Sequence, residues 1–359
     1  MKKILCLIDS LGPGGAQRQL VGLATLLKER GYDVIVACYH DNRFYVDKIL
    51  SSGVPYVYIK KANKTTFRLW HVARYIRNVK PDVVISYLET PSICTCVAKF
   101  FNRQFKLIVS ERNTTQHTGR NEKIRFHLFQ IADYVVPNAY AQEDYIKRNF
   151  PKLRNKVVTI PNFVDLENFT PPQKRLRREV PEIIVVATIW ASKNTVGFID
   201  AVAQLKADGV GFHISWYGKD AAYLDYYGQC EEKIERLNLE DCIELKDKTT
   251  AIREKYQGAD FFCLPSFYEG TPNVICEAMA CGLPVACSNV CDNGRYVVEN
   301  ENGFLFDPKN VKSIVLAIER MIKKSDIDYY KMCANSRKRA ELLLSQEQFV
   351  APYLDLINR

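Results

Sequence analysis

A regular alternation of short apolar runs with longer amphipathic stretches is the feature that most restricts how this chain can fold. Strands are predicted at 3–9, 33–39, 55–59, 82–88, 106–110, 133–137 and 156–160, with helices between them at 15–30, 65–79, 91–101, 121–131 and 140–148. The alternation restarts at 182–187, and further strands are predicted at 211–217, 242–245 and 260–264. Strands separated by helices favour parallel sheets covered on both faces. We therefore expect an α/β protein with two doubly wound parallel sheets.

A stretch rich in proline and basic residues separates the two alternating regions. It includes Pro161, Pro171, Pro172 and the run KRLRREVP at 174–181. A chain of 359 residues is long enough for two domains. We predict a first domain at 1–170, a second at 171–345, and a C-terminal helix at 346–359 that packs back on the first. Ligands of such open sheets bind at the carboxyl ends of the strands.

Charge and cysteine usage narrow the classes of function. Residues 1–170 carry 26 Lys+Arg and 14 Asp+Glu, whereas residues 171–359 carry 24 and 27. A basic first half suits phosphorylated ligands or an anionic membrane, and no nucleic-acid motif accompanies it. The apolar start ends at Asp9, which favours a strand over an export signal. The twelve cysteines show no paired framework or metal-ligand spacing. We expect a cytoplasmic protein with no metal site.

The segment from Leu264 to Val285 places a helix start directly after a strand. Thr271 is predicted to cap this helix, and Pro272 suits the first helical position because its missing N–H costs nothing there. The backbone N–H groups of Asn273 and Val274 then lie at the positive end of the helix dipole. That arrangement is typical of a site for a diphosphate or for the oxygens of a sugar.

Two glutamates flank this helix start. Glu269 precedes the helix and Glu277 lies inside it, five residues after Pro272, or about 7.5 Å along the axis. This separation is too large for a catalytic pair. It fits one long ligand held at two places, with Glu277 accepting both hydroxyls of a ribose and Glu269 accepting hydroxyls of a sugar. Gly270 allows a ligand to approach the backbone closely.

The run EGTPNVICEAMACGLPV resembles the Glu-x7-Glu motif of the retaining glycosyltransferases of family four. Further similarity is found in LGPGGAQRQLVGLATLLKERGYDV at 11–34, IPNFVD at 160–165, SKN at 192–194, GAD at 258–260 and ENGFLFDP at 301–308. The resemblance covers essentially the whole chain. It implies the GT-B fold, in which two Rossmann-like doubly wound domains face a cleft. It also implies a nucleotide-sugar donor, most simply a UDP-sugar, and no metal or other cofactor.

The resemblance assigns roles to individual residues. Gly14 and Gly15 match the glycine loop that approaches the donor phosphates and the acceptor, although Gln17 replaces the third glycine of a dinucleotide fingerprint. A tight structural turn is the alternative for this loop. Lys193 matches the lysine that binds the donor diphosphate, where a positive charge stabilises the leaving group. A solvated lysine at a helix start is the alternative. The glutamate at 269 positions the sugar rather than attacking it.

Two positions depart from the family pattern. Thr188 stands where relatives often have a diphosphate-binding arginine. Glu111 and Arg112 follow the fifth strand, where many relatives place a histidine next to the reacting sugar, so one of them must replace it unless His117 folds back. We predict that Arg112 replaces the missing cation or binds an acceptor phosphate. Its alternative is a salt bridge with Glu111.

The predicted function is hexosyl or N-acetylhexosaminyl transfer, with retention, to a glycan or lipid-linked saccharide in cell-surface polysaccharide biosynthesis. A GT-B nucleotide-sugar epimerase and a non-catalytic sugar-nucleotide-binding protein are the alternatives. Cations and aromatics interleave at 99–106, and Arg68, Arg74, Arg77 and Lys80 lie nearby in the sequence. They predict peripheral contact with an anionic membrane, at its cytoplasmic face. The alternative is a helix end that faces the core, with solvated lysines.

Overall fold

The chain divides into two compact units. The computed structural model describes residues 1–112, 115 and 118–359, and only the backbone of Thr65 and Thr66. The first unit comprises Met1–Asn162 and Gln346–Arg359, and the second comprises Phe163–Ser345. The predicted boundary after residue 170 is therefore too late. Val164 and Phe169 pack in the core of the second unit, and the Val164 N–H donates to the Leu344 carbonyl.

The first unit contains a parallel sheet covered by helices. Among the described residues the sheet has six strands, in the order β3-β2-β1-β4-β5-β6. The strands are β1 (Lys3–Leu7), β2 (Asp33–Cys38), β3 (Tyr56–Tyr58), β4 (Val83–Tyr87), β5 (Lys106–Glu111) and β6 (Tyr134–Pro137). The helices are α1 (Gly15–Glu29), α2 (Val46–Ser51), α3 (Thr65–Val79), α4 (Glu89–Phe101), α5 (Arg120–Leu128), α6 (Tyr140–Asn149) and, at the C-terminus, α14 (Gln346–Asn358).

The strand predicted at 156–160 does not form a full sheet member. Val157 makes one isolated parallel bridge to Val135, and the Ile160 N–H donates to the Pro137 carbonyl. Val157 and Ile160 are buried, which explains the apolar pattern of the segment.

The second unit repeats the architecture. Its described strands form a parallel six-stranded sheet in the order β12-β11-β10-β7-β8-β9. They are β7 (Glu182–Val186), β8 (His213–Lys219), β9 (Ile243–Asp247), β10 (Phe261–Leu264), β11 (Val285–Ser288) and β12 (Gly303–Phe306). The helices are α7 (Thr195–Ala207), α8 (Leu224–Arg236), α9 (Ile252–Gly258), α10 (Asn273–Ala280), α11 (Asn293–Tyr296), α12 (Val311–Ile322) and α13 (Asp326–Leu343).

Strand order locates the candidate sites. In the first sheet the order reverses between β1 and β4, and in the second between β7 and β10. Open α/β sheets bind ligands outside the carboxyl ends of strands at such switch points. The loops that follow β7 and β10 contain Lys193 and Glu269, so the topology brings together two residues far apart in the sequence. Among the described residues, no helix has the length and apolar character needed to cross a membrane.

Candidate donor site and acceptor loops

The loop after β7 holds Lys193 in a defined position. A 3-10 helix spans Ala191–Lys193, and Asn194 follows it in the left-handed backbone region with φ 56°. Asparagine tolerates this conformation better than most residues. The buried Asn194 side chain donates from Nδ2 to the Pro308 carbonyl at 2.7 Å. The turn that carries Lys193 is therefore tied to the loop after β12.

The loop after β10 contacts the Lys193 turn in two places. The Phe267 N–H donates to the Ser192 carbonyl at 3.0 Å. Lys193 Nζ forms a salt bridge with Glu269 Oε1 at 2.6 Å, with side chains 25% and 12% exposed. A partly desolvated pair of this kind is electrostatically stronger than a fully exposed one. The structure thus joins the predicted diphosphate-binding and sugar-binding residues, which the sequence separates by 76 positions.

Helix α10 begins one residue later than predicted. Pro272, not Thr271, is its N-cap, with φ −75° and ψ 101°, and the helix starts at Asn273 without a side-chain cap. The extended ψ of Pro272 excludes it from the first helical turn. The Ile275 N–H donates to the Pro272 carbonyl at 3.1 Å. Gly270, Asn273 and Val274 are half-buried and Thr271 is buried, so all four predicted residues lie at this helix start.

Glu277 lies inside α10 and is only 3% exposed. The hydroxyl of Tyr256, on α9, donates to its Oε2 at 3.2 Å. Burying a carboxylate costs free energy unless hydrogen bonds compensate. Burial, followed by the charge of Glu277, raises the pKa of the neighbouring Cys281 thiol to about 12. Sequence reasoning missed Tyr256, because nothing in its helix distinguishes it from a core tyrosine.

Cys291 lies next to Glu269. No sequence pattern predicted a role for it. It adopts φ 48° and is exposed, whereas the other eleven cysteines, all within the described residues, are buried. Partial burial raises the pKa of its thiol, while a hydrogen bond with the Glu269 backbone acts in the opposite direction. The same group responds to the nearby charges of Asp292 and Glu269, which raise its pKa.

The glycine loop of the first unit follows β1. Gly14 is the N-cap of α1 and Gly15 is its first residue. A Cβ added at Gly14 would lie 2.1 Å from Gln17 Oε1. Gln17 Nε2 also donates to Asp9 Oδ1 at 3.2 Å. The residue that replaces the third glycine therefore lies across the loop and links it to the end of β1.

Glu111 and Arg112 have separate partners. Glu111, at the end of β5, is 3% exposed and pairs with Arg125 at 3.6 Å. Arg125 also contacts Glu89 at 3.1 Å and donates to the Thr115 hydroxyl. Glu111 thus belongs to a buried ionic cluster of the first unit.

The guanidinium of Arg112 bonds to two tyrosines and an asparagine. It donates to Asn162 Oδ1 at 2.7 Å and to the hydroxyls of Tyr87 and Tyr353 at 2.6 and 2.8 Å. The same group lies over the Tyr87 ring at 4.2 Å. Its Nε is buried without a hydrogen-bond partner among the described residues. The alternative of a salt bridge with Glu111 is therefore wrong. His117, the other candidate at this position, lies outside the described residues.

Comparison with known proteins agrees with this fold. The profile of the family Glycosyltransferase Family 4 matches residues 13–168, and that of Glycosyl transferases group 1 matches residues 167–341. The two parallel sheets together with these family matches identify a glycosyltransferase of the GT-B fold class. The chain belongs to the family-4 type of these enzymes.

Individual relatives are distant in sequence but extensive in coverage. The chain is 24% identical to a Campylobacter jejuni N-acetylgalactosamine-N,N'-diacetylbacillosaminyl-diphospho-undecaprenol 4-alpha-N-acetylgalactosaminyltransferase, over 95% of this chain and 96% of that protein. It is 31% identical to an Escherichia coli UDP-Gal:alpha-D-GlcNAc-diphosphoundecaprenol alpha-1,3-galactosyltransferase, over 46% and 45%. The crystal structure of Anabaena Alr3699/HepE in complex with UDP and glucose has a TM-score of 0.86 at 19% identity, with all of both chains covered.

No group of three or more His, Cys, Asp or Glu side chains suited to a metal ion occurs in the described part of the chain.

Proposed function

We propose that this glycosyltransferase moves a hexose or N-acetylhexosamine from a UDP-sugar to a lipid-linked saccharide, with retention and without a metal ion. The observation that carries the proposal is the arrangement of Lys193, Glu269 and Glu277 around the start of α10. These groups provide one cation and two hydrogen-bond acceptors near a helix N-terminus. A nucleotide sugar offers the complementary groups, with a diphosphate between the hydroxyls of the transferred sugar and those of the ribose.

Each donor-side residue has a distinct proposed role. Lys193 leaves Glu269 and binds the diphosphate, whose charge grows as the glycosidic bond breaks. Glu269 then accepts hydroxyls of the transferred sugar in place of the lysine. Glu277, held by Tyr256, accepts the ribose hydroxyls. The amides of Asn273 and Val274, with the backbone at Gly270 and Thr271, face the electron-rich oxygens of the donor.

The acceptor side is assigned to the first unit. The Gly14–Gly15 loop lies at the carboxyl end of β1 and lets the acceptor approach the backbone. Arg112 contacts an acceptor phosphate or sugar through a terminal N–H that its three hydrogen bonds leave unused, while its tyrosine and asparagine partners fix its orientation. The acceptor hydroxyl attacks from the face that the nucleotide leaves, and a diphosphate oxygen takes its proton. The enzyme mainly positions its substrates and stabilises charge.

The lipid-linked acceptor is proposed from the relatives. Both curated relatives described above are named for acceptors on a diphospho-undecaprenol carrier. A carrier of this kind stays in the membrane, so we propose a cytoplasmic enzyme that binds the membrane peripherally during polysaccharide biosynthesis.

Thermal unfolding in a panel of nucleotide sugars tests the donor assignment. We expect UDP-sugars to raise the Tm, and Glu277→Gln to reduce this shift. Glu235→Gln, an exposed glutamate on α8, is the matched control and should keep it. NMR of the product then reports the anomeric configuration. Stabilisation by an unrelated ligand alone, or turnover of a nucleotide sugar to its epimer without acceptor, would refute the proposal.

A further inference from the structure

The basic and aromatic segment at 99–106 does not form one surface with the cations of α3. Lys99 is 9% exposed, donates to the Phe105 carbonyl at 2.9 Å and pairs with Asp133. Phe100 and Phe101, at the end of α4, are exposed. Because α3 and α4 both run antiparallel to the strands, these two phenylalanines lie at the amino edge of the sheet. The first turn of α3 lies at the carboxyl edge, on the order of 20 Å away.

The outer face of α3 is aromatic in its first turns and cationic further on. Phe67 and Trp70 are 58% and 56% exposed. Arg74 and Arg77 continue the same face at helical spacing, and the Arg74 guanidinium lies 5.1 Å from the Trp70 ring. The opposite face packs in the core, through residues such as Val72 and Ile76. Neighbouring exposed aromatics form a contiguous apolar patch, and such patches mark interaction sites more often than single scattered side chains do.

A lysine-rich turn precedes this helix. Lys60, Lys61 and Lys64 are exposed, and no hydrogen bond or ion pair engages their side chains within the described structure. Arg68 holds the turn against α3 by donating to the carbonyls of Ala62 and Asn63 at 3.0 and 2.9 Å. The lysines are therefore presented on a fixed backbone beside Phe67 and Trp70.

The segment from residue 60 to residue 80 carries seven Lys+Arg and no Asp or Glu. A surface for another protein ordinarily mixes both signs of charge, whereas a purely cationic one fits a polyanion. Aromatic side chains among the cations favour a lipid interface, because their rings enter the headgroup region while the cations contact anionic headgroups.

We propose that this surface, formed by the turn at Lys60–Lys64 and the outer face of α3, docks the enzyme on an anionic lipid bilayer. It rests on the proposed function only in that a lipid-linked acceptor requires the enzyme at the membrane. The surface begins at the same edge of the first sheet as the Gly14–Gly15 loop and Arg112. Docking there brings the acceptor-binding edge to the headgroup layer, where the saccharide of a lipid-linked acceptor begins.

Vesicle flotation of the purified full chain tests the proposal. We expect binding to phosphatidylcholine vesicles that contain phosphatidylglycerol, little binding to phosphatidylcholine alone, and weaker binding at high salt. The triple variant K60S/K61S/K64S should bind about a hundredfold more weakly, because each cation near such a surface contributes about 1 kcal/mol, or roughly a fivefold factor. F67S/W70S should lower binding about tenfold or more and reduce its salt-resistant part.

Matched control variants distinguish this surface from other exposed aromatic or basic side chains of the first unit. F100S/F101S removes two exposed aromatics at the amino edge, where Phe100 lines a cavity of about 700 Å³ with Arg103. K152S/R154S removes two exposed cations elsewhere on the first unit. Both should bind vesicles like the native chain. All variants should keep the native Tm, since the altered side chains are exposed.

Several outcomes would overturn the proposal. They are a native chain that does not float with anionic vesicles, unchanged binding in K60S/K61S/K64S, or lost binding in F100S/F101S alone. A higher affinity for single-stranded RNA than for vesicles would make nucleic acid the partner. Transfer to a short soluble acceptor is measured in parallel. If the native chain transfers sugar but does not bind vesicles, the proposed docking surface is refuted and the proposed function stands. If it binds vesicles but transfers no sugar, the proposed function alone is refuted.

Discussion

The candidate donor site of the second unit and the Arg112 site of the first unit use charge in opposite ways. Lys193 and Glu269 are partly exposed and bind each other, so a ligand with a diphosphate and hydroxyls can exchange with both partners. Arg112 instead directs its terminal nitrogens to Tyr87, Tyr353 and Asn162. The first arrangement is suited to ligand exchange, whereas the second fixes a cation in one orientation.

The difference indicates which charged residues of this enzyme can exchange their partners for a ligand. An exchangeable ion pair contributes little to folding and can respond to the ligand. A half-buried guanidinium with three acceptors stabilises its unit and can offer only its two remaining N–H groups. Mutation should therefore separate function from stability in the second unit and couple them in the first.

The largest effect is expected at Lys193. Lys193→Met should lower kcat about 10²–10³-fold, because charge developing on the leaving diphosphate loses its counter-charge. The Tm should change little. Steady-state kinetics with a saturating donor measure the effect, and Lys338→Met, an exposed lysine on α13, is the control. K193M/E269Q should stay as inactive as K193M, because removing the unpaired carboxylate restores no cation. A variant that kept native kcat would end the donor-side assignment.

The next largest effect is expected at Glu277. Glu277→Gln should weaken nucleotide binding about 10- to 100-fold, since a charged acceptor of ribose hydroxyls is lost. Tyr256→Phe removes only one hydrogen bond to Glu277, so it should weaken nucleotide binding by only about 1 kcal/mol. Calorimetric titration with UDP and with a UDP-sugar measures both. Equal losses in the two variants would mean that the hydroxyl, not the carboxylate, binds the donor.

Arg112 provides the opposite test, because its removal should affect the first unit. Arg112→Met leaves buried tyrosine and asparagine groups without their partner and should lower the free energy of unfolding by about 1–3 kcal/mol. Arg112→Lys keeps the charge but cannot reach all three acceptors, so it should be intermediate. Denaturant unfolding measures stability, and Arg154→Met is the exposed control. UDP binding at a temperature where the variants are folded should be native-like, and a loss would contradict the division of roles.

Cys291 gives the mildest perturbation of the donor site. Its raised pKa means that the reactive thiolate is scarce at neutral pH. Alkylation should therefore be slow and should accelerate about tenfold per pH unit until the pKa is reached. The other cysteines should stay unmodified in the folded protein. A bound UDP-sugar should slow the reaction, because Glu269 lies beside this thiol. Mass spectrometry follows the label, and rates independent of pH and donor would contradict this geometry.

Most of the fold could be predicted from the sequence, because buried parallel strands are continuous apolar runs. The runs at 182–187 and 260–264 became β7 and β10. The segment 156–160 has the same apolar character but makes only one bridge to Val135, since an apolar pattern reports burial and not pairing. The boundary between the units was misplaced because the prolines mark a break in the apolar periodicity. They do not mark the residue after which side chains pack in the second unit instead of the first.

The donor site was more predictable than the acceptor site for a physical reason. Glu269, Gly270 and Glu277 lie within one loop and one helix, so their spacing carries the information. The partners of Arg112 are Tyr87 on β4, Asn162, and Tyr353 on α14, which are far apart in the sequence. No local sequence pattern predicts that they contact one another. The start of α10 was predicted one residue early, since the fixed φ of a proline suits both an N-cap and a first helical position, and the sequence does not report its ψ.

The route of the chain has a consequence for how the protein is made. The second unit is complete once Ser345 has been synthesised, whereas the first unit still lacks α14. Tyr353, on that helix, is synthesised after the whole second unit, and its hydroxyl accepts a hydrogen bond from the Arg112 guanidinium. Domains generally fold as units during synthesis. The later unit can therefore fold before the earlier one is finished, and a chain stopped at residue 345 would have its donor side but an incomplete acceptor side.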